Sequence, residues 1–73
     1  MEEKILNIIS RITKIPLDVL QKNTDDDKLW NSLRHIEIVM TIEEEFNIIF
    51  ESEDISNCRT INKVIETVKN KLK

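Results

Sequence analysis

The chain contains no glycine, one proline and one cysteine, and none of its apolar runs approaches the ~18 residues a membrane-spanning helix requires. Each absence closes a route. A lone Cys58 makes no internal disulfide and no cysteine cluster for zinc, and its expected place is that of a small, half-buried apolar residue. Without glycine, a left-handed backbone position must fall to another residue, and asparagine is the natural one. The opening Met1-Glu2-Glu3-Lys4 has neither the basic start nor the apolar stretch of a secretory signal, so a cytoplasmic location is expected by default.

What is present sets the scale. A chain of 73 residues makes one domain, 1–73, which buries about 60% of its unfolded surface and has little spare stability for an enclosed active site. An enzyme is therefore not expected. With 40% hydrophobic and 34% charged residues in a regular pattern, the chain reads as a soluble globule and a monomer. The net charge is −3, but its distribution says more than its size. Asp25-Asp26-Asp27, Glu37, Glu43-Glu44-Glu45, Glu51 and Glu53-Asp54 fill the middle, while Arg59, Lys63, Lys69, Lys71 and Lys73 crowd the end. An acidic centre attracts basic protein surfaces and repels nucleic-acid phosphates, and lysines ending a last helix complement its dipole.

The apolar period organises the chain into a small all-α bundle of three longer helices and one short one. Ile5, Ile8, Ile9 and Ile12 recur at helical spacing over Glu2 to Thr13. Residues 14–31 form a long connection, in which Pro16 opens one short turn through Leu20. A connection of that length needs tethering, and Ile15, Leu17, Val19, Leu20, Leu29 and Trp30 are the candidates. The second long helix starts behind Asn31 as N-cap and ends at Phe46, with Asn47 in the left-handed position after it. Ser52 caps a short turn through Ser56, and Thr60 caps a last helix whose stripe is Ile61, Val64, Ile65, Val68 and Leu72.

The stretch from Asn31 to Phe46 carries two apolar arcs at about 100° per residue. Ile38, Val39, Ile42 and Phe46 make the arc that faces the core. Leu33, Ile36 and Met40 fall on another, bordered by Glu37, Glu43 and Glu44. Such a second arc either meets another element of the chain or offers a partner an apolar strip with an acidic rim.

Ser32 stands where loop becomes helix, so an anion esterified to its hydroxyl would meet free backbone N–H groups and the positive end of the helix dipole. His35, the single histidine, is three residues on and shares a helix face with it. A Ser-His pair in one exposed turn lacks an oxyanion hole, an orienting acid and a pocket, so a hydrolase is set aside and His35 is expected at the surface or boundary.

Leu29-Trp30-Asn31-Ser32-Leu33 followed by Glu37, Val39-Met40, Glu43-Glu44-Glu45-Phe46 and Thr60-Ile61 resembles the acyl carrier proteins over nearly the whole chain. In that family the serine of an Asp-Ser-Leu motif carries a 4′-phosphopantetheine arm. The resemblance implies that a phosphopantetheinyl transferase moves the arm from coenzyme A to Ser32, with Asn31 and Leu33 flanking it. The arm's thiol would then hold acyl intermediates for partner enzymes of fatty-acid, polyketide or related biosynthesis. It also implies docking of basic enzyme surfaces through Leu33, Ile36, Glu37, Met40, Glu43 and Glu44. An acyl chain folding back between the helices would be lined by Val39, Ile42, Phe46, Ile61 and Val64, which read equally as plain core.

The chain departs from the family at Asn31, which keeps the cap but not the charge of Asp, at Arg34, a cation where acids or polar groups are usual, and at Trp30 in the lead-in. These departures imply a specialised free-standing carrier. They leave a second class open: an unmodified helical adaptor that binds a protein through the same acidic and apolar face. A nucleic-acid-binding domain would need a basic face there.

Overall fold

The computed structural model describes all of residues 1–73. The first helix, α1 (Glu2–Thr13), buries Ile5, Ile8 and Ile9 on one side and places Glu2 and Glu3 in its first turn, where acids suit the dipole. It ends at Lys14, which takes a left-handed conformation (φ 65°) and donates its N–H to the Ser10 carbonyl.

The connection that follows holds a helix of its own, α2 (Leu17–Lys22), which ends two residues past the Leu20 expected for the turn opened by Pro16. Pro16 sits just outside it in extended backbone, and its carbonyl accepts the N–H groups of Val19 and Leu20. Of the six proposed tethers, Leu20 and Trp30 are buried, and Ile15 and Leu29 are half-buried against the core. Leu17 and Val19 are not tethers: they remain 40% and 39% exposed, because α2 turns only its Leu20 side inward. Polar bonds complete the tethering. Asn62 donates from its backbone to the Thr24 carbonyl (3.1 Å) and from its side chain to Asp25 Oδ1 (2.6 Å). Asp26 accepts the Lys28 N–H at 2.7 Å, so part of the aspartate run builds the loop.

The long middle helix, α3 (Ser32–Phe46), has the expected limits. The Asn31 side chain accepts the Arg34 N–H at 2.9 Å, and Asn47 ends the helix in the left-handed region (φ 54°). A short α4 (Ser52–Asn57) is capped by Glu51 and not by Ser52, because Asp54 reaches back to accept the Glu51 N–H at 2.9 Å and sets the start one residue earlier. The last helix, α5 (Ile61–Leu72), is capped by Thr60, whose hydroxyl accepts the Lys63 N–H at 3.1 Å. Its stripe is buried from Ile61 to Val68 but not at Leu72, which stays 48% exposed in the last turn.

The result is an all-helical bundle of three long helices and two short ones, with α1 packed on α2, α3 and α5 around one continuous core. Cys58 is fully enclosed in that core rather than half-buried. Two of the C-terminal lysines also tie elements together: Lys69 pairs with Glu2 at 3.0 Å and Lys71 with Asp54 at 2.8 Å. No helix is long and apolar enough to cross a membrane.

Candidate functional site

The sequence features that build the site are a cap, a turn and two helix faces. Asn31 stops the backbone in extended geometry and spends its side-chain oxygen on Arg34 N, which leaves the N–H groups of Ser32 and Leu33 ahead of the first intrahelical bond. Ser32 is exposed, and no acid occupies the first turn of α3. Arg34 pairs with Glu37 at 2.8 Å across the next turn, with both side chains about half exposed. A phosphodiester on the Ser32 hydroxyl therefore fits: it meets solvent room, free donors, the positive helix end and no competing carboxylate.

Beyond Ser32, the outer arc of α3 is open. Leu33, Ile36 and Met40 are 69%, 45% and 58% exposed, so no other element of the chain covers the second apolar arc. Glu44 is exposed and enters none of the ion pairs, and Glu37 is held only by Arg34. Glu43 differs: its carboxylate accepts the Phe50 N–H at 2.7 Å and so fastens the segment after α3. The proposed acyl-lining residues come together as core, with Ile42, Ile61 and Val64 fully enclosed, Val39 nearly so and Phe46 half-buried at the edge. The surface concavities are lined by other residues, the largest (about 520 Å³) by Lys4, Asn7, Ile8, Ser10, Arg11 and Glu45.

His35 is the correction. It is 3% exposed, not a surface residue. Its Nδ1 accepts the Trp30 indole N–H at 3.0 Å, and its Nε2 lies 2.7 Å from the Ile55 carbonyl. The two rings are nearly coplanar, 11° apart with centroids at 6.2 Å, which is the geometry of an edge-to-edge hydrogen bond. Burial, opposed by the bond to Ile55 and helped by the charge of Arg59, holds the His35 pKa below its ordinary 6.5. The signal was in the sequence: position 35 continues the buried run 38, 39 and 42 at helical spacing. Cys58 Sγ lies 3.9 Å from His35 Nε2, and burial pushes its thiol up to about 11, so it is an inert neighbour and not a nucleophile.

Helices of this order, an open serine at the start of the middle one and an uncovered acidic and apolar strip behind it, define a small helical carrier-type domain. Comparison with known proteins agrees. The family model described as "Phosphopantetheine attachment site" matches residues 3–68. The acyl carrier protein of Buchnera aphidicola subsp. Schizaphis graminum (strain Sg) is 39% identical over 75 residues, covering all of this chain and 95% of that protein. The acyl carrier protein of Buchnera aphidicola subsp. Acyrthosiphon pisum (strain 5A) is 34% identical over 74 residues, covering 89% of this chain and 92% of that protein. The chain belongs to the acyl carrier protein family, whose members are carriers rather than catalysts and whose prosthetic group is phosphopantetheine.

Proposed function

We propose that the chain, as one domain, carries its phosphopantetheine arm on Ser32 and delivers acyl groups to biosynthetic enzymes that dock on the outer arc of α3. The observation that carries this reading is an exposed hydroxyl at the first residue of α3, behind a functioning Asn31 cap and with no carboxylate in the turn. The arm supplies the thiol that holds the acyl group. The chain supplies the rest: Asn31 fixes the start of the helix, the free N–H groups of Ser32 and Leu33 favour the phosphate, and Leu33, Ile36, Met40, Glu37 and Glu44 offer the contact. Glu43 is better read as a structural cap of the following segment than as a docking charge.

A phosphopantetheinyl transferase and acyl-handling enzymes with basic surfaces are the partners this site suits, in fatty-acid synthesis or a related pathway in the cytoplasm. Tethering keeps intermediates at high effective concentration near each docked enzyme without tight binding. Incubation with coenzyme A and a broad-specificity transferase tests the reading by intact mass. The parent chain should gain one arm and Ser32→Ala none; a parent chain left unmodified by several transferases would favour the unmodified adaptor.

A further inference from the structure

The partners of His35 fix its tautomer. An indole N–H only donates and a carbonyl only accepts, so Nδ1 is the bare nitrogen and the proton sits on Nε2. In this form both ring nitrogens are satisfied. An imidazolium would carry a second N–H on Nδ1, directed at the Trp30 N–H 3.0 Å away, and that bond has no protonated counterpart. The clamp joins three parts of the chain: Trp30, two residues before Ser32; α3 through His35; and α4 through the Ile55 carbonyl.

We propose that Trp30, His35 and the Ile55 carbonyl form a proton-sensitive clamp that positions the Ser32 turn for attachment of the arm, closed when His35 is neutral and released when it is protonated. Its effect on attachment rests on the Ser32 reading above; the clamp itself does not.

The surrounding charges favour the neutral ring. Arg59, half-buried beside the site, opposes a second cation. Cys58 remains a neutral thiol, and Asp54, which acts on Cys58, is engaged by Lys71 and the Glu51 N–H. On α3 the flanking charges, Arg34 and Glu37, are about half exposed and paired with each other. The rest of the enclosure is the apolar core that contains Trp30. The sign follows. The folded chain binds the His35 proton less readily than the unfolded chain, whose histidine titrates near 6.5, so clamp and stability are intact above that pH and weaken as pH falls below it.

Trp30 is the only tryptophan and tyrosine is absent, so indole fluorescence reports the surroundings of this residue alone. The test follows Trp30 emission and far-ultraviolet circular dichroism of the whole chain from about pH 8 to about pH 5, for the parent and for His35→Gln, an amide that can accept and donate without titrating. The parent should show a one-proton change in emission with a midpoint below 6.5, with helix content retained, and the variant should show none. In parallel, the transferase rate on the parent, divided by that on His35→Gln at each pH, should fall about tenfold per pH unit below the same midpoint. Flat parent emission, or a transition that persists in His35→Gln, would overturn the clamp. A clean emission transition with a constant rate ratio would overturn its positioning role. If neither chain is modified at any pH, the Ser32 reading fails while the emission result stands by itself.

Discussion

At the scale of single residues, two side chains on consecutive turns do unlike work. Asn31 keeps the cap that an aspartate would make but presents no charge beside Ser32. Asn31→Asp should therefore leave the melting temperature nearly unchanged while speeding transfer of the arm, if the transferase reads the acid usual at that place. A thermal melt and a transferase time course check both halves, and a large loss of stability or an unchanged rate would count against the recognition charge. Asn31 was legible in the sequence because a cap is a local device, fixed by residues three apart. His35 was misplaced because its partners are not local: Trp30 stands behind the cap and Ile55 lies twenty residues on.

At the scale of elements, the three long helices were legible because apolar period, caps and length agreed. The short ones were legible as single turns opened by Pro16 and by the Ser52 segment, but not in their limits, since six residues give too few turns for a period to register and the ends depend on reciprocal bonds such as Glu51 N–H to Asp54. The absence of glycine leaves a mark on the helix ends. Both left-handed positions are held by residues with a Cβ, Lys14 and Asn47. Asparagine tolerates that region, whereas lysine is disfavoured by roughly 1 kcal/mol. Lys14→Gly should therefore stabilise the domain by about 0.5–1 kcal/mol, or a few degrees in melting temperature for a chain of this size. Asn47→Ala should destabilise by about 1 kcal/mol, because alanine lacks the tolerance asparagine has there. Denaturant midpoints of the two variants check the pair, and an unchanged or lowered midpoint for Lys14→Gly would mean that lysine is not strained.

At the scale of the whole molecule, a small core leaves one face of α3 uncovered. Exposed ion pairs contribute about 0.2–1 kcal/mol each, so a basic partner meeting Glu37 and Glu44 around Leu33, Ile36 and Met40 should bind transiently, and less well as salt rises. A carrier must leave each enzyme to reach the next, and such an interface allows it. Glu37→Lys with Glu44→Lys should weaken binding most at low salt, where the new lysines repel the basic partner, and Met40→Ala should weaken it at all salt concentrations; parent binding that ignores salt and survives both changes would place docking elsewhere. Glu43 belongs in neither variant, since reversing it would also release the Phe50 N–H.

One hydroxyl of this surface should take the arm, and the chain supplies its own controls, because Ser10, Ser52 and Ser56 are the other serines. Ser52 also opens a helix, but with Glu53 and Asp54 in the first turn, where a phosphate would meet like charge. Fragmentation mass spectrometry of the modified chain is the most direct measurement. The whole adduct should lie on the peptide containing Ser32; an adduct on Ser10, Ser52 or Ser56, or modification that persists in Ser32→Ala, would place the arm elsewhere.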